Sequence, residues 1–568
     1  MNRTPSPRRP GRVAAWALTG ALAASALTAC SGQTLAISDD PSAETGASAG
    51  QPVEGGELVW GIETDITTVN PHRNGQDKAT AVLRNAFSPL LYRNGDGQFE
   101  PWIAAGVDIS EDELTYQLRL RDGVTFSDGA ALDAAAVVLT IDKLIDRQAG
   151  YVTQTPQGLQ FVDSYEATDP KTVTFKLSQP DIQFLLFLST TQSSPLSPAV
   201  WELPQTTLEP GGPQLAGIGP FTIESFTPST EIVFVKRADY AWTPQSFAHQ
   251  DHPAPYLDQV TYRVLKEGST RTGALQQGQI DVASDIQPLD VPLFRDDPAF
   301  QYARFPVGGT VYSYYLNVSK APFDDIRVRQ AFILGADYAA ILASIFQGTY
   351  DRAWAPLSVV GPFADPSLEG WAEVDVDKAN QLLDQAGWTE RDSDGIRLKD
   401  GQRLTVRCPT GAPFVRESRD TVAIAVAAAL KQNIGLDFKY EPVDLGTEAE
   451  LAAANEIELF DNSYGGADPV TGVDLLYYTS DPTRGFLGRG HYDDPELEAV
   501  IDQARFTIDL DQRKAAYLKL QEIVTSKFYV LPLIQTQDTY AAQANVHGFE
   551  HDTGTGQLLG ATTVWIEG

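Results

Sequence analysis

Short runs in which every second residue is apolar alternate with longer helical runs along nearly the whole chain, and this interleaving restricts the fold more than any other feature. Residues 58–62 (LVWGI), 115–120 (TYQLRL) and 172–177 (TVTFKL) have the period of half-buried strands, with Val173, Phe175 and Leu177 on one face. Segments 325–346, 376–386, 419–432, 495–508 and 510–526 have helical spacing. Asp494 ahead of Pro495 and Glu496 predicts a helix start, Asp325 suits the positive end of a helix dipole, and Gly387 predicts a stop. Asp122-Gly123 and Asp128-Gly129 predict turns on either side of a Val124–Phe126 strand. Strands and helices mixed over 568 residues predict an α/β protein of several lobes, about three or four core-sized units at roughly 150 residues each.

The N-terminus sets the compartment. Arg3, Arg8, Arg9 and Arg12 precede an uncharged stretch, 13–29, that closes on Leu27-Thr28-Ala29-Cys30. The stretch is shorter than the roughly 20 apolar residues a membrane span needs and ends in small residues, so 1–29 reads as a signal peptide with a lipobox. Such a motif makes Cys30 the lipidated N-terminus of the mature chain, leaving Cys408 as the other cysteine and no intrachain disulfide to expect. Residues 30–56 read as a flexible polar tether.

With 42 Lys and Arg against 75 Asp and Glu the formal charge is −33, and removal of 1–29, which holds four Arg and no acid, takes it to −37. That excludes nucleic acid as the main partner, because such binding rests on cations neutralising phosphates. A membrane must then hold the chain through lipid and not through charge.

Catalytic and metal signatures fail on context. Gly46-Ala47-Ser48-Ala49-Gly50 fits GxSxG but lies in the tether with no strand before it. Glu390, Asp392, Asp394 and Gly395 match the start of an EF-hand loop, but the twelfth place is Gly401, so the stretch reads as a polar hairpin. His249, Asp251 and His252 could pair on a metal, but they sit in a Pro-rich loop. No nucleophile–base, phosphate-loop or zinc pattern occurs, so we expect a binding protein without a cofactor and not an enzyme.

The order of segments carries a family likeness. It runs 58–72 (LVWGIETDITTVNPH), 85–102 (NAFSPLLYRNGDGQFEPW), 118–128 (LRLRDGVTFSD), 167–177 (ATDPKTVTFKL), 217–221 (GIGPF), 237–242 (RADYAW), 255–263 (PYLDQVTYR), 278–282 (GQIDV), 316–333 (LNVSKAPFDDIRVRQAFI), 379–388 (ANQLLDQAGW) and 513–532, ending FYVLP. This string resembles the extracellular solute-binding proteins of ABC importers, family 5, the peptide and nickel class. The resemblance implies an α/β, periplasmic-binding-protein-like fold (type II, cluster C) with two hinged lobes and an inserted subdomain. Lobe I would be 57–88, 215–310 and 532–568, the subdomain 89–214, and lobe II 311–531, with hinges near Val311 and Leu531. It implies a monomer, lipid-anchored at the extracellular face of the cytoplasmic membrane, that passes a peptide-like solute to ABC permease subunits. A ligand sensor of the same fold, or a binder of oligosaccharide or metal chelate, is the alternative.

By the same resemblance, one ligand-holding stretch maps to Asn74, Gly75, Gln76 and Asp77. The other maps to Ser463, Tyr464, Gly465 and Gly466, ahead of Asp468-Pro469. Many peptide binders carry an Asp where this chain has Gly465, paired with the ligand's α-amino group. Losing it removes a charge-assisted bond of about 1.5–3 kcal/mol. Asp461, close by, is a candidate substitute, and Asp468 reads equally as a turn residue.

Overall fold

The computed structural model describes residues 51–568 apart from 75–76, 147–150, 153–155, 248–250, 413–414, 482–483, 551, 553 and 555–559. The signal segment, Cys30, the GxSxG match and His249 lie outside the described residues.

Strand Glu57–Ile62 is the axis of a seven-stranded sheet. Leu58, Trp60 and Ile62 alternate inward, each 5% exposed or less, as a period-2 run must. The strand lies parallel to Gln259–Val264 on one side and to Val282–Ser284 on the other, so all three end at the same edge. Beyond them the order continues through Glu231–Lys236 to Phe221–Thr227, and on the opposite side through Gln537–Gln543 to Phe300–Pro306.

A second sheet of four strands runs Asp351–Arg352, Val530–Gln535, Gly309–Leu316, Leu459–Gly465. Gly309–Leu316 is buried along its length because both faces are covered. Tyr312 and Tyr314 join a core with the helix Arg419–Ile434, whereas Tyr315 joins a separate core with the helices Pro495–Arg505 and Leu510–Ser526. The chain crosses between these two sheets twice, at 307–308 and at 536, and the crossings run side by side. Val307 N donates to Thr536 O (2.9 Å), and the Gln535 amide donates to Val307 O (3.0 Å).

The third sheet, Ala104–Ile109, Thr115–Leu120, Thr172–Leu177 and Val162–Asp169, comes wholly from the stretch 89–214 and shares its core with the first. Val173, Phe175 and Leu177 point inward as the alternation predicts. Buried ion pairs fasten this stretch to later parts of the chain. Asp181 meets Arg505 at 3.1 Å, and Arg505 reaches Asp474 at 2.5 Å. Arg93 meets Asp468 at 3.0 Å, and Asp468 meets Arg513 at 2.6 Å.

Local structure departs from the sequence pattern in two places. The apolar run 325–346 is two helices, Ile326–Leu334 and Tyr338–Phe346, bent by 42°, because Gly335 ends the first and the Asp337 carboxylate caps the second by accepting from Ala340 N. Asp325 caps the first helix by accepting from Arg327 N. Between the Gly123 and Gly129 turns, both at positive φ, the chain makes an isolated bridge, Thr125 to Ala131, and no strand. Glu390–Arg391 and Arg397–Lys399 pair as the polar hairpin that the truncated EF-hand match suggests, with Asp392 accepting from the amides of Asp394 and Ile396.

Candidate functional site

Three parallel strands end at one edge of the large sheet, and Glu63 and Asp285 follow two of them directly. Carboxyl ends of parallel strands are where α/β sheets place ligands, since the chain leaves the sheet there and opens a crevice. The crevice here has an aromatic floor. Trp60 stacks on Tyr262 with centroids 5.4 Å apart, Tyr540 meets Trp60 edge-on at 6.0 Å, and the Trp60 indole donates to Ser284 Oγ at 2.9 Å. Ile62, Ala81 and Val82 add apolar wall, and the space is about 450 Å³ with its open mouth included.

Glu63, Lys78 and Asp538 stand at this pocket. Lys78 Nζ lies 2.5 Å from Asp538 and 3.6 Å from Glu63. Burial alone would lower the Lys78 pKa, but Asp538 and Glu63 outweigh it and hold the ammonium protonated. Burial, with Glu63 adding to it, pushes the Asp285 carboxyl up to about 6, although Lys78 and Arg271, the latter at 3.0 Å, oppose the shift.

A second set of charges stands beside the four-stranded sheet. Arg419 opens the helix Arg419–Ile434, lies 4.2 Å from the Tyr312 ring centroid, and donates to Glu417 (2.7 Å) and to Ser463 Oγ (2.8 Å). Glu417 and Ser418 are both left-handed, at φ +55°, a conformation that non-glycine residues adopt at a cost and that clusters at ligand sites. Burial pushes the Glu417 pKa up, but Arg419, Arg416 and, across from the other sheet, Lys78 bring it below the ordinary range. Glu417 in turn raises Asp285. Charges beside the two sheets are therefore within electrostatic reach of one another.

Ser463, Tyr464 and Gly465 lie on the strand Leu459–Gly465. Tyr464 N donates to Thr310 Oγ1 (2.9 Å), and Gly465 pairs with Gly309. Gly309 sits at φ +97°, and a Cβ there would come 2.2 Å from Tyr464 O, so the approach of the two strands requires glycine. Gly466 N donates to Gly308 O at 3.2 Å, on the first crossing. Asn74 is buried and donates to Thr68 O (3.2 Å). Gly75 and Gln76 lie outside the described residues, as does the side chain of Asp77, which opens the helix Asp77–Leu83 beside Lys78.

The two nearby acids are both engaged inside the protein. Asp461 accepts from Tyr312 Oη (2.7 Å) and Thr410 Oγ1 (2.6 Å), with Cys408 Sγ at 3.6 Å. Asp468 accepts from Arg513 through both oxygens (2.6 and 2.9 Å), from Arg93 (3.0 Å) and from Val470 N (3.1 Å). Burial raises its pKa, yet Arg513 and Arg93 outweigh burial and keep it below the carboxylate range. His252 faces Glu54 at 2.7 Å and stacks on Tyr256.

Sequence reasoning passed over Glu63, Lys78, Asp285, Asp538, Glu417 and Arg419. Lys78 is one residue past the flagged stretch 74–77, and Glu63 and Asp285 directly follow short apolar strands, which is the one signal that could have found them.

Comparison with known proteins places this architecture. The model of the bacterial extracellular solute-binding proteins, family 5 (middle) matches residues 98–484. The probable D,D-dipeptide-binding periplasmic protein DdpA of Escherichia coli K12 is 24% identical over 522 residues, 89% of this chain and 94% of its own. The glutathione-binding protein GsiB of the same strain is 23% identical over 509 residues, 87% of this chain and 91% of its own. Among solved structures, NikA from Brucella suis in complex with Fe(III)-EDTA superposes with a TM-score of 0.76 at 23% identity, covering 90% of this chain and all of that one. DppA from Helicobacter pylori in complex with the peptide STSA gives 0.71 at 22%, covering 91% and 99%. These structures share the fold. A family model matching more than half of the chain, with relatives aligned over nearly their full length, shows that this chain belongs to the bacterial extracellular solute-binding proteins, family 5.

Proposed function

We propose that the chain is the lipid-anchored capture component of an ABC importer, taking a peptide-like solute between two lobes and passing it to membrane permease subunits. The observation that carries this reading is that polar groups gathered beside the two sheets come within electrostatic reach of each other: Glu63, Lys78 and Asp538 at the large sheet, Glu417 and Arg419, with Ser463, at the four-stranded one. The paired crossings at 307–308 and 536 are the natural axis for closing the lobes. The expected hinges near Val311 and Leu531 fall inside the strands Gly309–Leu316 and Val530–Gln535, so the boundaries expected at 310/311 and 531/532 move outward by a few residues, to 57–88, 215–306 and 537–568 against 309–535, with 89–214 inserted. Relatives named for dipeptide and glutathione favour a peptide-like solute. In this reading 74–77 and 463–466 approach the solute from opposite sides, while Asp468 serves the framework beneath. Cys30 carries the lipid.

The test is native mass spectrometry of the exported protein, followed by calorimetry with whatever solute is released. A stoichiometric, chemically unaltered peptide-like solute is the expected result. A solute of another class, or one recovered transformed at catalytic turnover, would overturn the reading.

A further inference from the structure

The aromatic pocket has an unbalanced mouth. Glu63 and Asp538 share one cation, Lys78, which sits at 2.5 Å from Asp538 and only 3.6 Å from Glu63. The neighbouring acids have cations of their own: Asp285 has Arg271 at 3.0 Å, and Glu417 has Arg419 at 2.7 Å and Arg416 at 3.6 Å. Glu63, its side chain 20% exposed, is the most loosely paired acid at the mouth: it shares Lys78 with Asp538 and accepts from the Thr64 hydroxyl at 3.2 Å. Burial raises its pKa, but Lys78 and, at longer range, Arg271 keep it below the ordinary carboxylate range. Below it the faces of Trp60 and Tyr262 and the edge-on Tyr540 enclose apolar space. Aromatic faces attract cations, and a carboxylate drawn out of water by a bound solute needs a positive partner. The pocket is narrow and open to solvent at its mouth, so it has room for the end of one group and not for a whole solute.

We infer that this pocket receives a singly cationic group on an apolar stem, an amine or guanidinium of the solute, with Glu63 as its charge partner and the Trp60–Tyr262 pair packing the stem. The inference rests on the proposed reading that a peptide-like solute binds in this cleft. It also accounts for Gly465: with no carboxylate at that position and with Asp461 and Asp468 engaged by Tyr312, Thr410, Arg93 and Arg513, recognition of positive charge falls to the opposite sheet.

The cation can come from a side chain or from the α-amine, and calorimetry with four tripeptides separates the two. They are Ala-Lys-Ala and its norleucine analogue, which keeps the stem and drops the charge, each with a free and an acetylated N-terminus, titrated into the wild type and Glu63→Gln. Glu63 lies at the partly exposed mouth, so the variant is expected to fold. If the side chain is the source, replacing Lys by norleucine weakens binding at least tenfold, about 1.4 kcal/mol, whether or not the N-terminus is acetylated. If the α-amine is the source, acetylation does so instead. Either loss disappears in Glu63→Gln. An acetylated norleucine peptide bound as tightly as the other three overturns the inference and leaves the importer reading standing, as does a loss that persists in Glu63→Gln. Binding of none of the four overturns the peptide reading and this inference with it.

Discussion

Replacing Asp468 by Asn should destabilise the folded chain by about 3–5 kcal/mol, the range found when one partner of a buried pair is removed. Asp468, Arg93 and Arg513 each have side chains about 1% exposed, and the carboxylate accepts from Arg93 at 3.0 Å and from Arg513 at 2.6 Å. At an effective dielectric of about 20, two unit charges roughly 3 Å apart attract by about 5–6 kcal/mol, a gross figure from which desolvation must be taken. Asn keeps the shape and one acceptor but turns its amide donors toward guanidinium groups. Arg93 and Arg513, which already repel each other, then remain charged in a dry site. Backbone carbonyls soften the loss only in part, since Arg93 also donates to Ala467 O and Arg513 to Ala504 O. The assay is urea unfolding followed by far-ultraviolet circular dichroism, comparing wild type and Asp468→Asn at equal slope, so that the midpoint shift reports stability. A difference below about 1 kcal/mol would refute the reasoning, since exposed pairs contribute that little.

His72 is buried, with Nδ1 2.8 Å from Tyr151 Oη and Nε2 3.0 Å from Ser194 O, and burial lowers its pKa to about 4 although the Ser194 carbonyl opposes the shift. The unfolded chain takes up this proton near pH 6.5 and the folded chain does not. The His72 contribution is therefore complete above pH 6.5 and is lost as the pH falls toward 4, by about 3 kcal/mol in all; parallel stability–pH profiles for the wild type and His72→Gln would contradict this. Gly309→Ala should cost at least about 2 kcal/mol, because φ is +97° and the new Cβ would meet Tyr464 O at 2.2 Å; a thermal midpoint within 1 °C of the wild type would sink the claim. Cys30→Ala should abolish incorporation of labelled palmitate, and undiminished labelling would remove the lipid anchor from the proposal.

Periodic features were legible in the sequence because local spacing alone determines them. Thr172–Leu177 buries alternate residues as it should, and Arg419–Ile434 forms where the apolar spacing places it. The break at Gly335 was hidden because apolar residues continue in register on both sides of it. Acids of the site region looked alike in sequence and met different fates. Asp461 is fixed by Tyr312 and Thr410, Asp468 by Arg93 and Arg513, and Glu63 stands at a pocket mouth. Those differences arise from strand register and from partners tens to hundreds of residues away, which spacing cannot reveal. Ser463 was reachable by motif, but its partner Arg419 was not, being 44 residues distant.

Cys408 offers a use that follows from its surroundings. It is 0% exposed on the strand Thr405–Gly411, beside Asp461, and burial together with that carboxylate pushes its thiol pKa far up. In a chain begun after residue 30 it is the single thiol. A maleimide can reach it only when the core around Tyr314, Val426 and Leu459 opens, so labelling reports that opening without an added probe. Saturating solute should slow labelling in proportion to the free energy with which it stabilises the region, turning a residue with no part in recognition into a clock for the motions that recognition suppresses.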